Sequence, residues 1–193
     1  MNKLVPDDLH SLEAYAKLRS EFRARVMEHK QHRRLQLGEH ITLIFEDRLT
    51  MQYQIQEMLR AERIFEAAGI LDELNAYNPL IPDGSNWKAT MMIEYEDEGE
   101  RREALQQLVG IEDQIWVQAG GQDSVLAIAD EDLERTAENK TSSVHFLRFE
   151  LPQVFIAALK NGASLSAGTN HPNYSFTAEA DEAMRESLIA DLD

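Results

Sequence analysis

Read for hydrophobic periodicity, the chain is organised around Glu46–Gly69, the longest stretch of strong helical character free of Gly and Pro before its end. At 100° per residue, Met51, Ile55, Met58, Leu59, Ala61 and Phe65 fill one broad apolar arc. Leu49, Tyr53 and Ile64 form a second patch almost opposite, so the spacing predicts a central helix buried on two sides. Within or beside the main arc stand Thr50, Gln54, Glu57 and Glu62. Polar groups in such places need partners, because an unpaired buried carboxylate is costly. The helix is therefore expected to form either the wall of a polar site or the hub of an internal hydrogen-bond network.

The same reading places the other elements. Pro6-Asp7-Asp8 opens a helix with Leu9, Leu12, Tyr15, Ala16 and Leu18 on its apolar face, and a second runs from about Ser20 to His29. Residues 32–37 and 40–45, around Gly38-Glu39, read as a β-hairpin whose second strand, Ile41–Phe45, leads into the central helix. A short helix spans Gly69–Tyr77 and stops before Asn78-Pro79, since a residue preceding proline disfavours helix. Ala89–Tyr95 is a strand apolar enough for a central position, and Glu100–Val109 an amphipathic helix ended by Gly110. Ile115–Gln118 and Ser124–Ala129 form a second hairpin, and Asp130–Ala137 a short acidic helix. In Ser143–Leu151, His145 has the parity of Leu147 and Phe149 and so shares their face. A helix from Pro152 to Lys160, strands Ser164–Ala167 and Tyr174–Thr177, and a helix over Ala178–Leu192 complete the chain. Hairpin connections predominate, which predicts an α+β fold: a mainly antiparallel sheet packed on a long central helix with flanking short helices. No linker or repeat interrupts it, so residues 1–193 are expected to form one domain with an N-terminal helical segment at about 6–30.

Composition narrows the chemistry. Cysteine is absent, which excludes disulfides, thiolate nucleophiles and metal sites built on the chain's own thiolates. Charge is lopsided. Residues 1–63 carry 11 Lys/Arg against 10 Asp/Glu, whereas 64–193 carry 8 against 25, for a net charge of −16. Such an acidic surface repels nucleic acid and anionic lipid, so neither is expected as a partner. No apolar run approaches a membrane span and no signal peptide is visible, which makes the cytoplasm the expected location. No dinucleotide, phosphate-loop or nucleophile-elbow motif occurs, and no cofactor is expected.

His29-Lys30, Arg33-Arg34, Leu37-Gly38, His40, Leu43–Asp47, Tyr53–Met58, Tyr77–Gly84, Ser143–Phe146 and His171-Pro172 together resemble a bacterial family known as domain of unknown function 3501. The resemblance covers essentially the whole chain. Members of that family are encoded beside rubrerythrin-like and iron–sulfur oxidoreductase proteins, which implies a redox or peroxide-response setting and a redox protein as partner. It implies no catalytic residue.

Two functional expectations follow. One is a non-catalytic accessory or interaction protein of a redox system. The other is a metal- or small-ligand-binding protein, or an enzyme, using Gln54, Glu57, Arg60, Glu62, Glu94, His145 and His171. Carboxylates with histidines suit iron, manganese or zinc. Against a metal, no Glu-x-x-His pair lies on a helix, and inward acids more often pair with arginines such as Arg60, Arg63 or Arg148.

Overall fold

The computed structural model describes residues 2–131, 135–136 and 139–193. Its helices are α1 (Leu12–Gln31), α2 (Arg48–Ala61), α3 (Ala67–Tyr77), α4 (Glu98–Gln107), α5 (Gln153–Lys160) and α6 (Glu182–Ile189). Its strands are β1 (Arg34–Leu37), β2 (Ile41–Glu46), β3 (Asn86–Ile93), β4 (Ile115–Ala119), β5 (Val125–Leu126), β6 (Ile128–Ala129), β7 (Val144–Glu150), β8 (Leu165–His171) and β9 (Tyr174–Glu179). The fold is α+β, with two sheets in the orders β1-β2-β3-β7-β6 and β5-β4-β8-β9, every neighbouring pair antiparallel.

Alternation decides what each sheet buries. On the first sheet, Leu43 and Phe45 of β2, Trp87 and Met91 of β3, and Leu147 and Phe149 of β7 point into a core shared with Ile115 and Val117 of β4. Leu165 of β8, Phe155 and Leu159 of α5, and Met184 and Leu188 of α6 join the same core. The strand expected at Ser124–Ala129 is divided. β5 pairs with β4 and β6 with β7, so the chain passes from one sheet to the other at Ala127, whose N–H bonds the Ile115 carbonyl at 2.8 Å. That crossing sets the candidate site.

The helical layer departs from the sequence reading in two places. The N-terminal helices merge into α1, capped by the Ser11 hydroxyl, because nothing between Leu12 and Gln31 breaks helix; Pro6–Asp8 makes only a 3-10 turn. The long helix expected over Glu46–Gly69 is two helices. α2 ends where Arg63 takes a left-handed φ of 56° and the Ile64 N–H bonds back to the Leu59 carbonyl at 2.8 Å, the closing bond of a Schellman turn. Glycine ordinarily occupies that position; arginine here conceals the stop. Phe65, placed by periodicity in the buried arc, lies past the stop and is 71% exposed. Of the helix expected at Asp130–Ala137, residues 132–134 and 137 lie outside the described residues.

α1 and α2 are joined by apolar contacts among Tyr15, Phe22, Val26, Leu49 and Tyr53, and by an ionic cross-link. Glu57 accepts hydrogen bonds from Tyr15 Oη at 2.6 Å and from Arg19 Nε and Nη2 at 2.8 and 2.7 Å. Arg19 and the Tyr15 hydroxyl outweigh partial burial and hold the Glu57 carboxyl below its usual range. At the start of α2, burial opposes ionisation of Asp47, but His29 at 2.5 Å, Arg33 and the Thr50 N–H hold its carboxyl low as well. Groups with lowered pKa values contribute stability that is complete above their unfolded values and lost as pH falls through the folded ones. The urea midpoint is therefore expected to fall steadily below about pH 4, and Glu57→Gln to flatten that acid limb; an unchanged limb in the variant would contradict the assignment.

Candidate functional site

Three separate turns of chain converge on one face of β7. His145, inward with Leu147 and Phe149, is fully buried. Glu112 comes from the 3-10 turn Ile111–Gln114 just before β4 and is 6% exposed. Asp130 follows β6, held in a left-handed conformation (φ 49°) by backbone pairing of its N–H to the Phe146 carbonyl at 2.9 Å. The exchange between sheets at Ala127 is what brings Asp130 beside β7.

The contacts form a chain. His145 Nδ1 lies 2.6 Å from Asp130 Oδ2, and Nε2 lies 2.9 Å from Thr141 Oγ1 and 3.1 Å from the Ser142 carbonyl oxygen. Thr141 Oγ1 donates to Glu112 Oε2 at 3.2 Å, and Thr136 Oγ1 donates to Glu112 Oε1. The other Asp130 oxygen accepts from the Phe146 N–H at 3.1 Å and from Arg135 Nη1 at 3.2 Å. One ligand atom from each of Glu112, Asp130 and His145 lies within 4.8 Å of the other two. The local field is negative: burial, then Glu112 and Asp130, push the neighbouring Asp113 carboxyl above its usual value, with His145 pulling the other way. Asp130–His145–Thr141 has the order of a hydrolase relay, but Thr141 is completely buried and a substrate has no approach to its hydroxyl.

Of the seven residues singled out from sequence, His145 alone belongs to this cluster. Gln54 is half-buried on α2, and Glu57 serves the α1–α2 cross-link. Arg60 is exposed, and Glu62, the last cap of α2, faces solvent. Glu94 is exposed just past β3 and accepts from Thr42 Oγ1 at 2.6 Å. His171 is buried at the end of β8, with Nε2 3.2 Å from the Val109 carbonyl oxygen and Nδ1 accepting the Asn173 N–H. The polar residues that α2 does bury are Thr50, which closes the cap with Asp47, and Gln56, which clamps the His10 backbone through both ends of its amide. Glu112, Asp130, Thr136 and Thr141 were not singled out from sequence; the inward parity of His145 was the one signal pointing to their location.

A family model described as protein of unknown function, DUF3501, matches residues 3–192. A crystal structure at 1.90 Å of a novel protein of unknown function from Burkholderia pseudomallei is similar over its whole length, with 53% identity, a TM-score of 0.95, and all of both chains covered. No curated protein matches the chain. Among the described residues no helix is long and apolar enough to cross a membrane.

Proposed function

Since the chain belongs to the DUF3501 family, whose description assigns no reaction, we propose a function from the site itself: binding of a divalent first-row metal ion by Glu112, Asp130 and His145. The observation that carries this reading is the convergence of two nearly buried carboxylates and a fully buried imidazole within 4.8 Å. Arg135 offsets part of the charge on Asp130, but two carboxylates largely removed from water call for more, and a divalent cation would supply it. One nitrogen and two oxygen donors suit Mn²⁺, Fe²⁺ or Zn²⁺.

Ligands around such an ion, at roughly 2.0–2.2 Å from it, stand about 3–3.5 Å apart. Small adjustments would therefore suffice for donor atoms within 4.8 Å of one another, among them a parting of Asp130 Oδ2 from His145 Nδ1, which lie 2.6 Å apart. Thr136 and Thr141 would orient the Glu112 carboxylate, and Arg135 the Asp130 carboxylate, as outer-shell partners do. The accessory role in a redox system, which the family resemblance implies, enters at this point: bound iron or manganese would be its chemical link to an oxidoreductase partner. Neither the family description nor the solved relative names a partner.

Metal content after purification without chelator, together with calorimetric titration of Mn²⁺, Fe²⁺ and Zn²⁺, tests the reading. The expected result is close to one metal ion per chain, and at least about a hundredfold weaker binding in Glu112→Gln and His145→Gln. No metal and no titration heat for any of the three ions would overturn it.

A further inference from the structure

On the opposite face of the same sheet, a cavity of about 440 Å³ opens between β3, β7 and the segment joining α3 to β3. Its walls are largely apolar, with Tyr77, Leu80 and Phe146 among them, and its charged lining is Lys88, Arg148 and Glu131. The volume lies in the range of small-molecule sites.

The two cations differ in how they are held. Arg148 is neutralised, paired through Nε with Glu131 at 2.7 Å and also with Glu150. Lys88, half-buried on the central strand, makes no side-chain hydrogen bond or salt bridge with any of the described residues; Asp83, Glu131 and Glu150 act on its ammonium only at longer range. Glu46 is its register partner on β2, yet Glu46 Oε1 accepts from Thr90 Oγ1 at 2.7 Å, Oε2 is buried with no hydrogen-bond partner, and the carboxylate makes no salt bridge with the amine. Nearby, Lys3 is anchored on the Asn78 and Ile81 carbonyls at 2.7 and 2.8 Å and adds positive potential. Burial and Arg148 disfavour the charged form of Lys88, while Glu131 and Glu150 favour it from longer range. In a chain with 35 acids against 19 Lys/Arg, the half-buried Lys88 ammonium still lacks a direct partner among the described residues, because Glu131 and Glu150 are engaged by Arg148.

We infer that this cavity binds a small organic carboxylate with an apolar body, its carboxylate pairing with the Lys88 ammonium and its body lying among Tyr77, Leu80 and Phe146. A charged head on a fixed ammonium, with an aromatic or aliphatic remainder against apolar walls, is the division of labour such cavities show. The site stands on observations independent of the metal cluster.

Calorimetric titration of metal-free protein with 3-phenylpropionate and octanoate tests it, set against 3-phenylpropanol, octanol and inorganic phosphate. The acids are expected to bind at least about tenfold more tightly than the matching alcohols and than phosphate. Lys88→Met should remove that preference while leaving the melting temperature of the unliganded protein little changed, and Leu80→Trp, which fills the cavity, should abolish binding of the acids. Equal affinity for acids and alcohols, phosphate binding as tight as the acids, absence of binding, or acid binding unaffected by Lys88→Met would each overturn the inference.

Discussion

Replacing Asp191 with alanine is expected to destabilise the protein by about 3–5 kcal/mol, the cost of stranding a buried partner charge. Arg33 is among the largest fully buried side chains, and the C-terminal segment supplies its closest counter-ion: Asp191 meets Nη2 directly, while Asp47 stands 3.7 Å from Nη1. The remaining donors are used on the Phe45, Glu46 and Ser187 carbonyls, so the guanidinium cannot turn toward water. At about 2–4 °C per kcal/mol for a chain of this size, the melting temperature should drop by roughly 6–20 °C. Asp191→Asn, which keeps an acceptor oxygen, should cost less. Burial, opposed by Arg33, pushes the Asp191 carboxyl up to about 6. A raised carboxyl pKa means that the folded state takes up a proton between about 6 and the unfolded value near 4, so this residue's share of stability grows as pH falls through that window and is smaller above it. Its sign is opposite to that of Asp47 and Glu57. Thermal melts of the wild type and both variants from pH 7 to pH 4.5 check the cost and its pH dependence; an alanine variant as stable as wild type would refute the buried-charge argument.

Trp87→Ala should cost a comparable amount, about 3–5 kcal/mol, from the lost transfer energy and the cavity left behind. Trp87 lies at the meeting point of the first sheet and the helices that close the core, fully buried, with its ring edge-on to Phe45 at 5.7 Å and to Phe155 at 6.0 Å. Its indole N–H donates to the Leu188 carbonyl at 3.0 Å, tying β3 to α6. Trp87→Phe keeps most of the packing but leaves that carbonyl without its donor, which should cost about 1–3 kcal/mol. The graded order alanine, phenylalanine, wild type in urea midpoints is the expected pattern. Phenylalanine as damaging as alanine would show that the indole hydrogen bond dominates the packing.

Most strands were legible because alternation reports burial directly. The parity that placed His145 with Leu147 and Phe149 is the same parity that aims it into the cluster. The α2–α3 break was not legible, since the left-handed residue that ends α2 is Arg63 and no glycine stands there to mark it. That concealed stop is why Glu62 looked inward and is solvent-facing. The acids of the site were hidden for a different reason. Glu112 sits in a 3-10 turn and Asp130 beyond a strand shared between two sheets, positions with no periodicity to give their side chains a direction. Only the tertiary crossing at Ala127 brings them to His145.

Anomalous diffraction from crystals grown with Mn²⁺ or Zn²⁺ bears most directly on the central proposal. A peak at about 2.0–2.3 Å from a carboxylate oxygen of Glu112, one of Asp130 and a ring nitrogen of His145 is the result expected. Crystals that hold metal elsewhere, or that show the His145–Thr141–Glu112 hydrogen bonds intact with no density among the three residues at saturating metal, would contradict it.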